Sequence, residues 1–198
     1  MRSPIEWGFA GHPLPGQSES GDRCVVQVAN GQATIAVVDG LGHGSEAALV
    51  SKIAADVVKA HAHEGILPLF QRCHARLRST RGAAMTVARY DSGTHRIRWL
   101  GAGNVRAMLL RAAADGATEC RDMLIYSGTV GVRVPTVEVS SLDAQPGDLL
   151  FLATDGIHDR FAEAVRYGEA PQAQADRLLD NYRIRTDDAL ILVARMSR

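Results

Sequence analysis

The chain has 198 residues, 46% hydrophobic and 22% charged, the composition of a globular domain long enough to bury a substantial core. Its 22 basic and 22 acidic side chains balance, so no positive field argues for nucleic acid, and no apolar run approaches the roughly 18 residues of a membrane helix. MRSPIEWGFA lacks the apolar core of a signal peptide, and Cys24, Cys73 and Cys120, widely spaced without a CxxC pair, argue for free thiols in a cytoplasmic protein over a disulfide frame or zinc site.

Residues 5–10 (IEWGFA) read as a first strand, and 12–22, rich in Pro, Gly and Ser, as a loop ending on Asp22. Residues 23–29, the turn Asn30-Gly31 and residues 32–38 form a hairpin signal. Asp22 precedes one of these strands and Asp39 ends the other. Antiparallel pairing therefore places the two carboxylates side by side. The stretch 34–58 (TIAVVDGLGHGSEAALVSKIAADVV) organises what surrounds it. Its strand ends at Asp39, Gly40, Gly42 and Gly44 allow a tight turn, and apolar residues then recur at helical spacing over about 44–63. Such an Asp suits a cation or phosphate, and equally suits a helix cap.

A shorter helix follows over 67–78, with Pro68 in its first turn. Strands are expected at 82–91, 95–103 and 105–112, a polar loop at 113–120, and strand-like pieces at 121–126 and 134–140. Pro146-Gly147 marks a turn before a buried strand (148–156) that again ends with Asp before Gly. Helices at 158–167 and 171–182 precede an apolar strand, 186–195, opened by Asp187 and Asp188. With no repeat or linker, residues 1–198 read as a single domain of strands with two helical pairs.

Four places share one pattern, a carboxylate at the end of an apolar strand: Asp22, Asp39, Asp155 and Asp187 (or Asp188). Singly, each is a turn or cap residue. Clustered, they repel one another unless cations neutralise them, and hard oxygen ligands select Mg²⁺ or Mn²⁺ where no histidine or thiol spacing points to zinc.

SGD (20–22), VVDGLGHG (37–44), GAAMTVARYD (82–91), GAGN (101–104), GDLLFLATDG (147–156) and TDDALILVAR (186–195) resemble, in this order, the motifs of the metal-dependent protein phosphatase (PPM) family. They are most similar to its compact bacterial branch of sporulation and stressosome phosphatases. The resemblance spans nearly the whole chain. It implies an α+β fold, a four-layer αββα sandwich of two antiparallel sheets flanked by helical pairs. It also implies a serine/threonine phosphatase with two Mn²⁺ or Mg²⁺ ions that activate a bridging water. By resemblance, Asp39 bridges the metals, Gly40 lends a backbone carbonyl, and Asp155 and Asp187 bind the first ion. Asp22 reaches the metals directly or through water, and Asp188 supports from behind. The implied partner is a phosphorylated regulator, a STAS-type protein or anti-sigma antagonist, and the chain is expected to be a monomer or weak dimer.

Several positions depart from the family pattern. Gly21 stands where larger relatives carry an acid, residues 12–20 contain no arginine to grip phosphate, and Leu41 replaces a proposed histidine acid. His43 has two readings, proton donor to the leaving oxygen or helix-terminus and supporting residue. No acidic flap insertion is evident. Arg121, Arg133 and Arg160 are candidates to meet a phosphoprotein but read better as surface, as do His61, His63 and His74. Trp7, Trp99 and Cys24 read as core. A binding module that engages a phosphoprotein with little turnover is the alternative. Nucleotide binding is disfavoured, because GLGHG falls short of GxGxxG and a hairpin precedes it.

Overall fold

Runs such as Ile35–Val38 and Leu149–Ala153 are apolar at every position, which suits strands covered on both faces. The computed structural model, which describes residues 3–112 and 118–197, places them at the centre of two antiparallel sheets. The first sheet has the order β1 (Ile5–His12), β10 (Ala189–Met196), β9 (Leu149–Ala153), β6 (Arg106–Ala112), β7 (Thr118–Asp122). The second has β2 (Asp22–Ala29), β3 (Gln32–Gly40), β4 (Ala83–Asp91), β5 (Arg96–Ala102), β8 (Ser140–Asp143).

Side-chain alternation divides each strand between two cores. From β3, Ile35 and Val37 enter the layer between the sheets, with Tyr90, Ile97, Leu109, Leu150 and Leu192. Ala36 and Val38 face the other way, against Val50, Ala54 and Val58 of α1 (Gly44–His61) and Leu69 and Phe70 of α2 (Ile66–Arg76). On the outer face of the first sheet, Phe151, Ile191 and Val193 pack against Phe161, Ala175 and Leu178, the last two from α3 (Pro171–Tyr182). The layers are therefore αββα, as expected.

Differences from the expected elements have local causes. The helix expected over 158–167 is a 3₁₀ turn, Asp159–Ala164, with the His158 Nδ1 accepting from the Arg160 N–H and Val165 already extended. Of the loop expected at 113–120, residues 113–117 lie outside the described residues, while Thr118–Cys120 belong to β7. The strand expected at 121–126 thus ends at Asp122. The segment expected as strand at 134–140 pairs only from Ser140 onward, Pro135 having no N–H to offer a ladder. The last strand begins at Ala189, so Asp187 and Asp188 lie just before it.

Trp99 is buried and donates its indole N–H to the Leu124 carbonyl at 2.9 Å, but Trp7 is 41% exposed. Trp7 lies on an edge strand, stacked on the exposed Phe9 with ring centroids 6.3 Å apart. Alternation assigns a side chain to a face; it does not say whether a neighbouring strand covers that face. Cys24 packs against the inter-sheet core, as expected, and burial pushes its thiol up to about 12.

Candidate metal centre

The candidate acids all come from the same end of the two sheets. In the second sheet Asp22 opens β2 and pairs in register with Asp39, which is followed by Gly40 at the end of β3. In the first sheet Asp155 follows β9, and Asp187 and Asp188 precede β10, the two strands being paired Ala153 to Ile191. A 2.7 Å hydrogen bond ties the sheets together there: the Thr154 hydroxyl donates to Asp22 Oδ2 and accepts from the Leu190 N–H at 2.9 Å.

Glycines set how closely the elements meet. Gly42 (φ +94°) and Gly44 (φ +71°) take the left-handed backbone that shapes the turn after Asp39. Gly40 has another reason, since a Cβ there would run into the Ala47 carbonyl of α1. At Gly21 a Cβ would come 2.8 Å from the Ala47 Cβ and 3.0 Å from Asp188 Oδ2. That crowding leaves no room for an acidic side chain at this place.

Asp188 is buried and accepts from the Leu14 N–H at 2.7 Å and the Gly21 N–H at 2.8 Å. Its oxygens are thus engaged in pinning the 13–21 loop to the site. The Asp188 N–H donates to Asp187 at 2.8 Å, leaving Asp187 exposed at the surface of the centre.

The electrostatics are those of an uncompensated acidic pocket. Burial, then the charges of Asp39, Asp188 and Asp155, push Asp22 up to about 8 against the relief given by Thr154. Burial, then Asp155, Asp187 and Asp188, push Asp39 up to about 7. Asp187 is raised as well, by burial and by Asp155 and Asp188. Among the described residues none of Asp22, Asp39, Asp155 and Asp187 takes part in an ion pair.

Among the described residues no three His, Cys, Asp or Glu side chains close around one point as a ready cage for an ion. That arrangement is not a preformed cage. It is compatible with Mg²⁺, which keeps several waters and takes only one or two carboxylates. Oxygen donors spread over Asp22, Asp39, Asp155, Asp187 and the Gly40 carbonyl fit hydrated ions that share ligands.

His43 is exposed and is the residue before α1, where its side chain makes no capping hydrogen bond. Its charge reaches Asp187 and works against the raised pKa there, so the imidazole stands at the rim of the centre. Arg81 also reaches this rim. It pairs with Glu46, and its guanidinium lies 2.9 Å from where a Cβ on Gly42 would be. Beside Asp155 a cleft of about 430 Å³ opens, lined by Asn104, Arg106, Thr154 and His158. Arg106 is occupied, bonded to Asp122 and Asp159 and stacked 5.8 Å above the Phe161 ring.

Asn104 joins the site although the sequence shows it only as the last residue of GAGN. Its amide donates to Asp155 Oδ2 at 2.6 Å, and the sequence signal for it was the glycine before it. The other candidates lie elsewhere. Arg121 pairs with Glu119 and Arg160 with Glu163, and Arg133 is exposed. His61 is half-buried beside Glu64 and His63 is exposed, whereas His74, expected at the surface, is half-buried and accepts from the Gly131 N–H at 3.0 Å.

The profile of the family described as stage II sporulation protein E (SpoIIE) matches residues 29–197. The phosphoserine phosphatase RsbX of Bacillus subtilis (strain 168) is 22% identical over 183 residues, 92% of this chain and 90% of that one. A structure of RsbX in complex with magnesium superposes with a TM-score of 0.86 at 22% identity, covering 100% of this chain and 98% of the other. A chain solved in work on the bacterial stressosome, described there as a modular system adapted to control secondary messenger signaling, gives a TM-score of 0.87. It is 30% identical and covers 96% of this chain and 99% of its own. The catalytic domain of the serine/threonine phosphatase PstP, in complex with two manganese ions, gives 0.73 at 15% identity over 98% and 99% of the two chains. With 169 consecutive positions matched by the profile and the αββα architecture of the PPM phosphatases around them, the chain belongs to the SpoIIE family.

Proposed function

We propose that this chain is a Mn²⁺- or Mg²⁺-dependent protein phosphatase that hydrolyses phosphoserine or phosphothreonine on a regulatory protein. The observation that carries the reading is the set of four carboxylates, Asp22, Asp39, Asp155 and Asp187, which two sheets bring to one end and which form no ion pair among the described residues. The kinship with a phosphoserine phosphatase and with structures holding magnesium or two manganese ions supports the same reading.

In this reading Asp39, the Gly40 carbonyl, Asp155 and Asp187 would hold the ions, with Asp39 serving both and Asp155 and Asp187 the first, and Asp22 would bind directly or through water. Bound there, such ions supply a water of lowered pKa and neutralise phosphoryl oxygens. The chain's own residues do the rest. Asp188 fixes the 13–21 loop, Thr154 orients Asp22, and His43 at the rim is placed to protonate the leaving oxygen. No side chain has to act as nucleophile, in keeping with a Cys24 thiol held protonated in the core.

The substrate we favour is a STAS-type regulator of a stressosome or partner-switching system, a reading that rests on the RsbX and stressosome relatives. We read residues 1–198 as one phosphatase domain without a flap insertion, acting in the cytoplasm as a monomer or weak dimer. No helix among the described residues is long and apolar enough to cross a membrane. The test is phosphate release from a phosphorylated STAS domain against an unrelated phosphoprotein, both with Mn²⁺. A preference of at least about tenfold in kcat/KM supports the assignment, and equal rates refute the STAS substrate. A binding module is the second reading, favoured by the lack of an arginine in residues 12–20. Tight binding of the phosphoprotein without phosphate release selects it.

A further inference from the structure

The centre has a donor that is neither acid nor cation. Asn104 follows β5 in the GAGN turn, where Gly103 takes φ +101° and sits so close to Ala84 that a Cβ would overlap it. Ala84 is the register partner of Asp39 in β4. The glycine therefore brings the turn down onto the ladder beside Asp39, and β6, starting at Arg106, carries the chain back alongside β9, whose end leads to Asp155. Asn104 is thereby suspended between an acid of each sheet. Its amide donates to Asp155 Oδ2 at 2.6 Å, and it lies close enough to Asp39 to moderate the raised pKa there.

We infer that Asn104 is a positioning residue of this centre, its amide holding the Asp155 carboxylate in place beside Asp39 at the spacing that divalent ions require. This rests on the reading of the centre as a divalent-cation site. A primary amide has two N–H groups and no charge, so it can bond to two carboxylates without neutralising either. An arginine or lysine there would satisfy the same oxygens and compete with the metal for their charge. A residue without a donor would leave the two neighbouring carboxylates to repel each other and the Asp155 side chain free to rotate away. The amide keeps the negative charge and fixes its geometry. Partners that orient metal ligands in this way are typically worth about 10- to 100-fold in metal affinity.

The test is Mn²⁺ binding by titration calorimetry on the full chain, comparing wild type with Asn104→Ala and Asn104→Leu. Leucine matches asparagine in shape and lacks its donor. Asn104 is exposed, so both variants should fold, and thermal melting in EDTA checks that they do. Both are expected to bind Mn²⁺ about 10- to 100-fold more weakly, with metal-free melting temperatures unchanged. Wild-type affinity in both variants overturns the inference. So does wild-type affinity in Asn104→Leu alone, which would assign the effect to packing. Absence of Mn²⁺ binding to the wild-type chain overturns the metal-centre reading itself and this inference with it.

Discussion

The two ends of the β3–β4 ladder carry the same residue type in opposite electrostatic states. At one end Asp91 pairs in register with Gln32 and accepts from its side chain at 2.8 Å, from the Gly93 N–H at 2.9 Å and from the Thr94 N–H at 3.1 Å. These donors hold its carboxyl below the usual range. At the other end Asp39 sits among Asp22, Asp155, Asp187 and Asp188 and is pushed up to about 7. The first Asp is satisfied by its own turn and by Gln32 of the paired strand. Among the described residues the second has no such set of donors, and burial with its acidic neighbours favours the protonated form unless a cation is bound there.

The largest way to break this contrast is to neutralise one acid at each end. Asp39→Asn is expected to lower Mn²⁺-dependent phosphopeptide hydrolysis by on the order of 10³-fold, the scale seen when one electrostatic element of a transition-state site is lost. Asp91→Asn should leave that rate within about twofold, because it lies at the far end of the ladder and bonds only to its own turn and to Gln32 beside it. A comparable loss in both variants would mean that the measured effect is one of folding.

Next in size is the backbone contact that holds the first-sheet half of the centre. A Cβ at Gly156 would overlap the Asp188 carbonyl, so Gly156→Ala forces apart the segments that carry Asp155 and Asp187. It should cost about 3 kcal/mol or more in urea denaturation, at the upper end of overpacking effects. A cost near zero would show that the two segments are free to move and do not hold the acids in place.

The acidic end also sets the pH dependence. The folded-state pKa values of Asp22 and Asp39, about 8 and about 7, lie above the ordinary value near 3.8, so the folded chain binds more protons than the unfolded one across that interval. Stability of the metal-free protein should therefore be highest below about pH 4 as far as these groups are concerned, and fall as the pH rises toward 8. The expected loss is on the order of a few kcal/mol, since the two groups are coupled and do not add. Mn²⁺ stabilises the ionised form and should flatten the slope. Urea midpoints at pH 5 and pH 8, with EDTA and with Mn²⁺, measure both. Stability that rises with pH in EDTA would contradict the account.

The smallest effect belongs to the far end. Asp91→Asn should cost about 1 kcal/mol, the worth of a few exposed turn hydrogen bonds, with an unchanged response to Mn²⁺. A marked change in that response would join the two ends that the structure separates.

Much of this geometry was legible in the chain. The hairpin around Asn30-Gly31 sets the register that pairs Asp22 with Asp39, because a two-residue turn leaves little freedom in the pairing. Asp155 and Asp187 were legible as acids bounding apolar runs. Asn104 was not, because its importance depends on how far the GAGN turn descends onto Ala84, a contact between residues remote in sequence. Trp7 was misread for a related reason: its face is set by local alternation, and its exposure by the absence of a covering strand at the sheet edge. The tie between Thr154 and Asp22 spans 132 positions and has no local signature.

The role proposed for the acids at this end of the sheets is to hold divalent cations that drive phosphoester hydrolysis. It is tested most directly by phosphate release from a phosphoserine peptide in Mn²⁺, followed by EDTA and then by Mn²⁺ restored. The account predicts turnover that stops with EDTA and returns with the metal. Hydrolysis that continues unchanged in EDTA, or none in Mn²⁺ on any phosphopeptide or phosphoprotein, would contradict it.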